Sequence, residues 1–255
     1  MTVKRRLFLL VGSFFLVASI ASAARNSSVI ATGPHDLSAG SAIRNTDPLM
    51  AAQTCIFCHT PHGGNYPKPL WNRNNTTSAY QLYSSSTMDA SQWPVPRTQR
   101  NISGACLSCH DGSIAIDTLI NFDGQAFGPA ISFDVQTTAT ATYGNAAPGV
   151  NNLIAGGPPL IGTDLRIHHP ITIIYEEARS ATPAELVQPV EQTGVCKFVV
   201  PSPTGYLPLA GRPDMTLDDA TVECISCHEA HNNQYLYFLR KPNTNSDLCL
   251  TCHVK

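Results

Sequence analysis

The sequence predicts a mostly irregular fold with short helices, a few short strands and two similar halves. The 255 residues include 17 Gly and 19 Pro, which favour turns over long regular elements. Only 13% of the residues are charged and 43% are hydrophobic, so a highly charged disordered chain is excluded. The chain also has 9 Cys and 9 His, and these residues recur in the same order in its two halves.

Residues 1–24 have the pattern of an export signal. Lys4, Arg5 and Arg6 precede an apolar run at 7–20, and small residues follow at 21–23, as in a cleaved signal peptide. The apolar run is short for a membrane-spanning helix. We therefore predict export, a mature chain at 25–255 that forms a single domain, and no transmembrane segment in that chain.

Eight of the nine cysteines lie in four Cys-x-x-Cys pairs, and His follows each pair directly. This spacing is typical of covalent haem c attachment, because two thiols reach the two vinyl groups of one porphyrin and the next residue lies under the iron. The sequence therefore predicts four haem c groups. The four attachment sites are motif 1 (Cys55, Cys58, His59), motif 2 (Cys106, Cys109, His110), motif 3 (Cys224, Cys227, His228) and motif 4 (Cys249, Cys252, His253).

Zinc is the alternative for the last two motifs, whose four cysteines have nearly the spacing of a zinc ribbon. Zinc would not require a histidine after every pair. At this chain's own histidine frequency, four such coincidences have a probability on the order of one in a million. We therefore favour haem.

The remaining histidines are candidates for the distal axial ligands. The four proximal histidines fill half of the axial positions, and Met50, Met88 and Met215 are too few to complete all four irons. Of the adjacent pair His168 and His169 we choose His169, because the following proline favours an extended backbone there, and His168 is the alternative. The predicted distal ligands are His35, His62, His169 and His231.

An internal repeat organises these ligands. Each half reads His, C-x-x-C-H-x-x-H, C-x-x-C-H, with the halves at about 25–123 and 158–255 and a loop-rich connection at 124–157. On a helix His59 and His62 share one face, so they cannot bind one iron from opposite sides. We expect His62 to ligate a neighbouring haem, and His231 to do the same in the second half.

Short helices are expected to carry the motifs, with Ser246 or Asp247 capping one that begins near Leu248. Strand-like runs occur at 170–175, 197–200 and 235–239. We expect the porphyrins to supply much of the apolar core, which makes this a haem-packed multihaem cytochrome c fold. For Cys196, the ninth cysteine, a buried inert thiol is the favoured interpretation, and an intermolecular disulfide or a reactive thiol is the alternative.

The predicted function is electron transfer without catalysis. An iron with two protein imidazoles has no open position for a substrate, and no catalytic constellation stands out in the sequence. A haem reductase with one open iron site is the enzymatic alternative. A formal net charge of −2 leaves no basic excess for nucleic acid.

The ordered motifs also resemble those of the OmcE-type tetrahaem cytochromes. The resemblance rests on His35-Asp-Leu, the run from Cys55 to His62, Pro69-Leu-Trp-Asn72, Cys106 to Gly112, His169-Pro-Ile and Phe238-Leu-Arg240. It implies extracellular filaments of stacked subunits with a continuous chain of haems, in which one axial histidine comes from the adjacent subunit. His35 is the candidate for that ligand.

The implied partners are copies of the chain itself, redox partner cytochromes and external electron acceptors. The implied location is an extracellular or cell-surface filament. A monomeric periplasmic tetrahaem electron shuttle is the alternative, and in that case all axial ligands would come from one chain.

Overall fold

The structure is a computed structural model that describes residues 33–38, 43–45, 53–64, 70–74, 76–95, 102–121, 133–135, 153–154, 157–192, 196–210 and 216–255. The predicted signal peptide lies outside the described residues. Of the predicted connection at 124–157, residues 133–135, 153–154 and 157 are described. None of the described helices is long and apolar enough to cross a membrane.

The strands of the described residues are short and form three small antiparallel sheets. In chain order they are β1 (Ile43–Asn45), β2 (Phe133–Val135), β3 (Ile173–Ile174), β4 (Val190–Glu191), β5 (Phe198–Ser202), β6 (Gly205–Leu209) and β7 (Thr221–Val222). Strand β1 pairs with β2, β3 pairs with β7, and β4, β5 and β6 form a meander. The β1–β2 pair shows that the predicted loop-rich connection contributes one strand.

The described helices are equally short, as the many prolines and glycines favour. They are α1 (Ser103–His110), α2 (Tyr175–Ala181), α3 (Cys224–Cys227) and α4 (Asp247–Leu250), with three-residue 3-10 turns at Leu217–Asp219, Leu236–Phe238 and Thr244–Ser246. Cysteines of motifs 2, 3 and 4 lie on α1, α3 and α4. A capping box begins α3, since Glu223 and Ser226 each bond the other's backbone N–H through their side chains.

Small apolar clusters, rather than one large core, lie beside the motifs. The largest is built on the β5–β6 hairpin and contains Tyr175, Phe198, Val200 and Leu209, with Cys252 of motif 4 against it. Another surrounds Phe57 of motif 1 and includes Cys109 of motif 2. A third is formed by Val95, Leu107 and Leu165. Haem attachment cysteines therefore border two of these clusters.

The structure confirms two of the three predicted strand runs, because β3 lies within 170–175 and β5 overlaps 197–200. The predicted strand at 235–239 is wrong. Leu236–Phe238 is a 3-10 turn in which Tyr237 and Phe238 have φ of 61° and 58°. The two ends of this segment, Tyr235 and Leu239, pair with each other, so the aromatic residues form a tight loop.

The predicted helix near Leu248 is α4, and it begins one residue earlier, at Asp247. Ser246 occupies the cap position with a φ of 62° and makes no side-chain capping bond. The preceding 3-10 turn, Thr244–Ser246, leads the chain into the helix in place of a polar cap.

Candidate haem sites

Motif 1 is a single turn held by a neighbouring segment. The His59 N–H donates to the Cys55 carbonyl at 2.8 Å, which closes the turn. Asn72 then binds the motif twice, with its N–H on the Cys58 carbonyl at 2.9 Å and its Nδ2 on the Ile56 carbonyl at 2.8 Å. Asn72 therefore holds the turn that carries the two cysteines.

Motif 3 repeats this arrangement. The His228 N–H donates to the Cys224 carbonyl at 2.9 Å. Arg240 takes the place of Asn72, with its N–H on the Cys227 carbonyl at 2.9 Å and its Nε on the Ile225 carbonyl at 2.6 Å. Two C-x-x-C-H-x-x-H sequences in different halves thus have the same backbone support.

The positive backbone φ angles repeat as well. Leu70 precedes the supporting segment of motif 1 with a φ of 59°, and Phe238 precedes that of motif 3 with a φ of 58°. Each of these residues accepts the N–H of the residue after the motif histidine, Thr60 in the first half and Glu229 in the second. A left-handed residue lets the chain turn sharply back along the motif.

The motifs adjoin one another in chain order. Burial raises the pKa of Cys58 to about 12, and the neighbouring Cys109 of motif 2 adds to that rise. The thiols of Cys106 and Cys224 share a hydrogen bond, which raises the pKa of Cys106. Burial likewise raises the pKa of Cys227 to about 11, with a further contribution from Cys249. These mutual influences indicate that cysteines of consecutive motifs lie near one another, motif 1 beside 2, 2 beside 3, and 3 beside 4.

A buried polar contact fixes the central junction between motifs 2 and 3. Ser103 at the start of α1 donates its hydroxyl to Glu223 and accepts the N–H of Cys224 at 3.0 Å. Glu223 also accepts the hydroxyl of Thr221 at 2.9 Å. Burial raises the pKa of Glu223 to about 8. This junction joins the two halves directly.

Three of the four motif histidines face another histidine ring at nearly the same separation. The ring centroids lie 5.9 Å apart for His59 and His231, 6.0 Å for His110 and His35, and 6.4 Å for His253 and His169. Metal–imidazole bonds are about 2 Å long, so two imidazoles on opposite sides of one metal have their centres roughly 6 Å apart. These three pairs therefore fit an iron between them.

In five of the candidate ligand histidines, four from these pairs and His228, the ring nitrogen Nδ1 has a hydrogen-bond partner. Nδ1 lies 2.7 Å from the Pro159 carbonyl in His110 and 2.8 Å from the Tyr237 carbonyl in His228. In His169 it lies 2.9 Å from the Pro170 carbonyl. In His35 and His231 the partners are the Ala230 carbonyl at 3.5 Å and the Glu229 carboxylate at 3.3 Å. Metal-binding histidines usually donate one N–H in this way, which orients the ring and leaves Nε2 for the metal.

Burial favours the neutral form of His35, His110 and His253, which is the form that binds a metal. Burial and, to a smaller extent, the nearby His110 lower the pKa of His35 to about 4. Burial is likewise the main cause of the lowered pKa of His110 and of His253.

The fourth motif histidine, His228, differs from the other three. It is exposed, as His253 also is, and among the described residues no histidine ring is paired with its own. It is nevertheless close enough to His35 and His110 to contribute to the lowered pKa of both. His62 is exposed as well, and its described hydrogen bonds are to its backbone carbonyl, from Thr60 and Asn121. His168 is exposed and makes no ring contact within the described part of the chain.

The positions of His231 and His35 differ from those expected from the sequence. His231 lies opposite the motif histidine of the first half rather than serving its own half. His35, the candidate ligand for an adjacent subunit, lies against His110 of its own chain and stacks on Phe238 at 4.3 Å. Both differences arise because residues 229–238 fold back over the first half.

Sequence reasoning missed Arg73 and Glu223 and gave no structural role to Asn72. The acidic residue three positions before Ser226 is a signal for the helix start, since the pair forms the capping box. Nothing in the local sequence distinguishes Arg73, whose importance depends on its complete burial.

One comparison with known proteins gives a match. The family described as Doubled CXXCH motif matches residues 219–255, which contain motifs 3 and 4. No curated protein matches the chain. The CXXCH motifs indicate covalently bound haem c, and the match supports a multihaem c-type cytochrome, a class whose general role is electron transfer.

Proposed function

We propose that this protein is a tetrahaem cytochrome whose four haems are each bound by two histidines, and that it polymerises head to tail into an extracellular electron-conducting filament. The observation that supports the proposal is that three pairs of histidine rings lie 5.9 to 6.4 Å apart within the chain, whereas His62 and His228 have no histidine ring opposite them among the described residues. One haem site is then completed only by another copy.

The proposed ligand pairs follow from the ring separations. His169, rather than His168, is the partner of the motif 4 histidine, since its ring is the one that lies 6.4 Å away. The assigned pairs are His59 with His231, His110 with His35, His253 with His169, and His228 with His62 of the next subunit.

The protein's own residues do three things in electron transfer. The cysteines hold the four haems, the axial histidines orient them, and the Ser103 contacts with Glu223 and Cys224 keep motifs 2 and 3 together. When bound, each haem supplies one-electron redox chemistry. Two imidazoles at each iron exclude water and substrate, which favours electron transfer over catalysis.

In the proposed contact His62 and His228 belong to different surfaces, and each has exposed apolar residues nearby. Leu236 and Tyr237, beside His228, are 68% and 61% exposed, and Leu70, beside the motif 1 segment, is 43% exposed. A contact between two different surfaces of identical subunits repeats without closing unless the rotation forms a ring. A second copy of this chain therefore fits both surfaces, and an open filament is the expected product.

His62→Ala tests this proposal, with His168→Ala as the matched control. The wild-type protein should form filaments whose haem irons are all low-spin. His62→Ala should remain monomeric with one high-spin site, whereas His168→Ala should resemble the wild type. Electron micrographs of secreted material and electron paramagnetic resonance give the two readouts. Filaments of His62→Ala with four low-spin irons would overturn the proposal, as would wild-type monomers with four low-spin irons.

A mixing experiment tests the direction of the contact. A His62→Ala subunit keeps His228 and can accept a ligand from a wild-type copy, but it cannot donate one. It should therefore terminate growth, and filament length should fall as its fraction rises. Unchanged length in mixed samples would contradict the head-to-tail contact.

The exposed position of His228 also favours a second candidate function, a haem reductase that works as a monomer. The motif 3 iron would then keep an open axial position. Cyanide should bind one site of the wild-type monomer if this is correct. Exclusion of cyanide from assembled wild-type protein would favour the filament.

A further inference from the structure

Residues 71–73 run between the two motifs of the first half. Asn72 binds motif 1 through the Ile56 and Cys58 carbonyls. The next residue, Arg73, binds motif 2, because its Nη2 donates to the Ser108 carbonyl at 3.2 Å. Ser108 lies directly before Cys109. One short segment therefore contacts both haem attachment sequences of this half.

The Arg73 side chain is completely buried, with 0% exposure. Its guanidinium also donates to the Ala115 carbonyl at 2.7 Å and to the Ile116 carbonyl at 2.5 Å. Its Nε has no hydrogen-bond acceptor. A guanidinium stays protonated over the ordinary pH range, so this is a permanent buried positive charge.

Within the described residues every hydrogen bond of Arg73 is to a neutral carbonyl oxygen, and the buried Asp111 carboxylate binds Tyr80 and Ser113 instead. The buried cation of the second half differs. Lys241 is 5% exposed, and its Nζ lies 3.0 Å from the Asp247 carboxylate. A paired charge produces a weak field at a distance, whereas an unpaired charge in a medium of low dielectric constant acts strongly.

Arg73 lies next to both first-half motifs. Its guanidinium binds the carbonyl of Ser108, the residue before Cys109 of motif 2, and its neighbour in the chain, Asn72, binds the Cys58 carbonyl of motif 1. The charge therefore lies close to the positions at which both haems would be held.

We propose that the buried positive charge of Arg73 raises the reduction potentials of the haems at motifs 1 and 2 above the values that their ligands alone would give. The inference rests on the proposed haem occupancy. Reduction adds one electron and lowers the charge at the iron by one, so a nearby fixed positive charge stabilises the reduced state. Burial and local charge are known determinants of haem potentials.

The test is a spectroelectrochemical titration of the assembled protein with Arg73→Gln, Arg73→Lys and Arg166→Gln. Arg73→Gln should shift about half of the titration, the part due to the first-half haems, to lower potential and leave the rest unchanged. Arg73→Lys keeps the charge and should restore most of the wild-type curve. Arg166→Gln removes an exposed arginine paired with Asp164 and should have little effect, since solvent screens that charge.

Arg73→Met, which is apolar and of similar length, replaces Arg73→Gln if the latter does not accumulate. An unchanged curve in a variant with four low-spin haems would overturn the inference, and so would an equal shift in Arg73→Lys. Failure of the wild-type protein to carry four haems would instead overturn the proposed function, and haem content by mass spectrometry separates these outcomes.

Discussion

The two C-x-x-C-H-x-x-H segments, residues 55–62 and 224–231, share their spacing and backbone support but differ in where their last histidine lies. Both are followed by a left-handed residue and a segment that binds the two inner carbonyls. His231 lies opposite His59 of the other half, whereas His62 is exposed. Equal local sequences therefore lead to different long-range contacts.

The residue after the motif histidine accounts for much of this difference. In the second half it is Glu229, whose carboxylate contacts Nδ1 of His231 at 3.3 Å and pairs with Arg240 at 2.8 Å. The hydrogen bond from His231 lowers the pKa of Glu229 to about 2. In the first half it is Thr60, whose hydroxyl donates to the His62 carbonyl rather than to its ring. One imidazole ring is therefore oriented within the chain, and the other is, in the proposed filament, the ligand for the next subunit.

His231→Ala should have the largest effect on the haem sites. The motif 1 iron would lose its distal ligand in the monomer and in the filament alike, because His231 acts within its own chain. Electron paramagnetic resonance should show one high-spin site in both preparations, whereas His62→Ala shows one only because assembly fails. Four low-spin irons in His231→Ala would contradict the assignment.

His169→Ala and His168→Ala form a matched pair at the second-half position that corresponds to His35. His169→Ala should leave the motif 4 iron high-spin, since its ring lies 6.4 Å from His253. His168→Ala should leave every iron low-spin. Visible spectra of the two purified variants measure the difference, and the reverse result would assign the ligand to His168.

Asn72→Ala and Arg240→Ala compare the two supporting segments. The fully buried Asn72 has a side chain that makes three backbone hydrogen bonds, to Ile56 and to both peptide groups of Asn121. Leaving buried backbone groups unpaired should lower the free energy of unfolding by about 2–4 kcal/mol. Arg240 is partly exposed, so water replaces its bonds and about 1 kcal/mol is expected. Urea unfolding of the haem-loaded variants checks the order, and an equal loss would contradict it.

Glu229→Thr, which gives the second segment the first segment's residue, should weaken a ligand without removing it. His231 remains but loses the acceptor that orients its ring. Loss of such an orienting group usually weakens metal binding by about 10–100-fold, so exogenous imidazole should displace His231 at correspondingly lower concentration. Thr60→Ser, which keeps the hydroxyl, is the control. Unaltered displacement in Glu229→Thr would show that the ring is held by packing alone.

Local features of the fold followed from the sequence, and longer-range features did not. The helices at motifs 2, 3 and 4 and the strands at 173–174 and 198–202 depend on short-range spacing and β-branched residues, so they were predictable. The expected helix at motif 1 is wrong, since that segment is a turn. The run at 235–239 has the composition of a strand, yet positive φ at Tyr237 and Phe238 turns it into a loop. That conformation is set by its contacts with motif 3, where the Tyr237 carbonyl lies 2.8 Å from Nδ1 of His228 and the Phe238 carbonyl accepts the Glu229 N–H.

The four attachment motifs and the further candidate histidines were readable from the sequence alone, because covalent haem c attachment needs only a five-residue spacing. Only the tertiary structure decided which rings face each other, since a distal histidine can come from any part of the chain that the fold brings within about 6 Å. The structure also shows that Arg73 is buried and that, among the described residues, its hydrogen bonds are to neutral carbonyl oxygens. Burial and pairing are properties of packing, and a sequence pattern does not encode them locally.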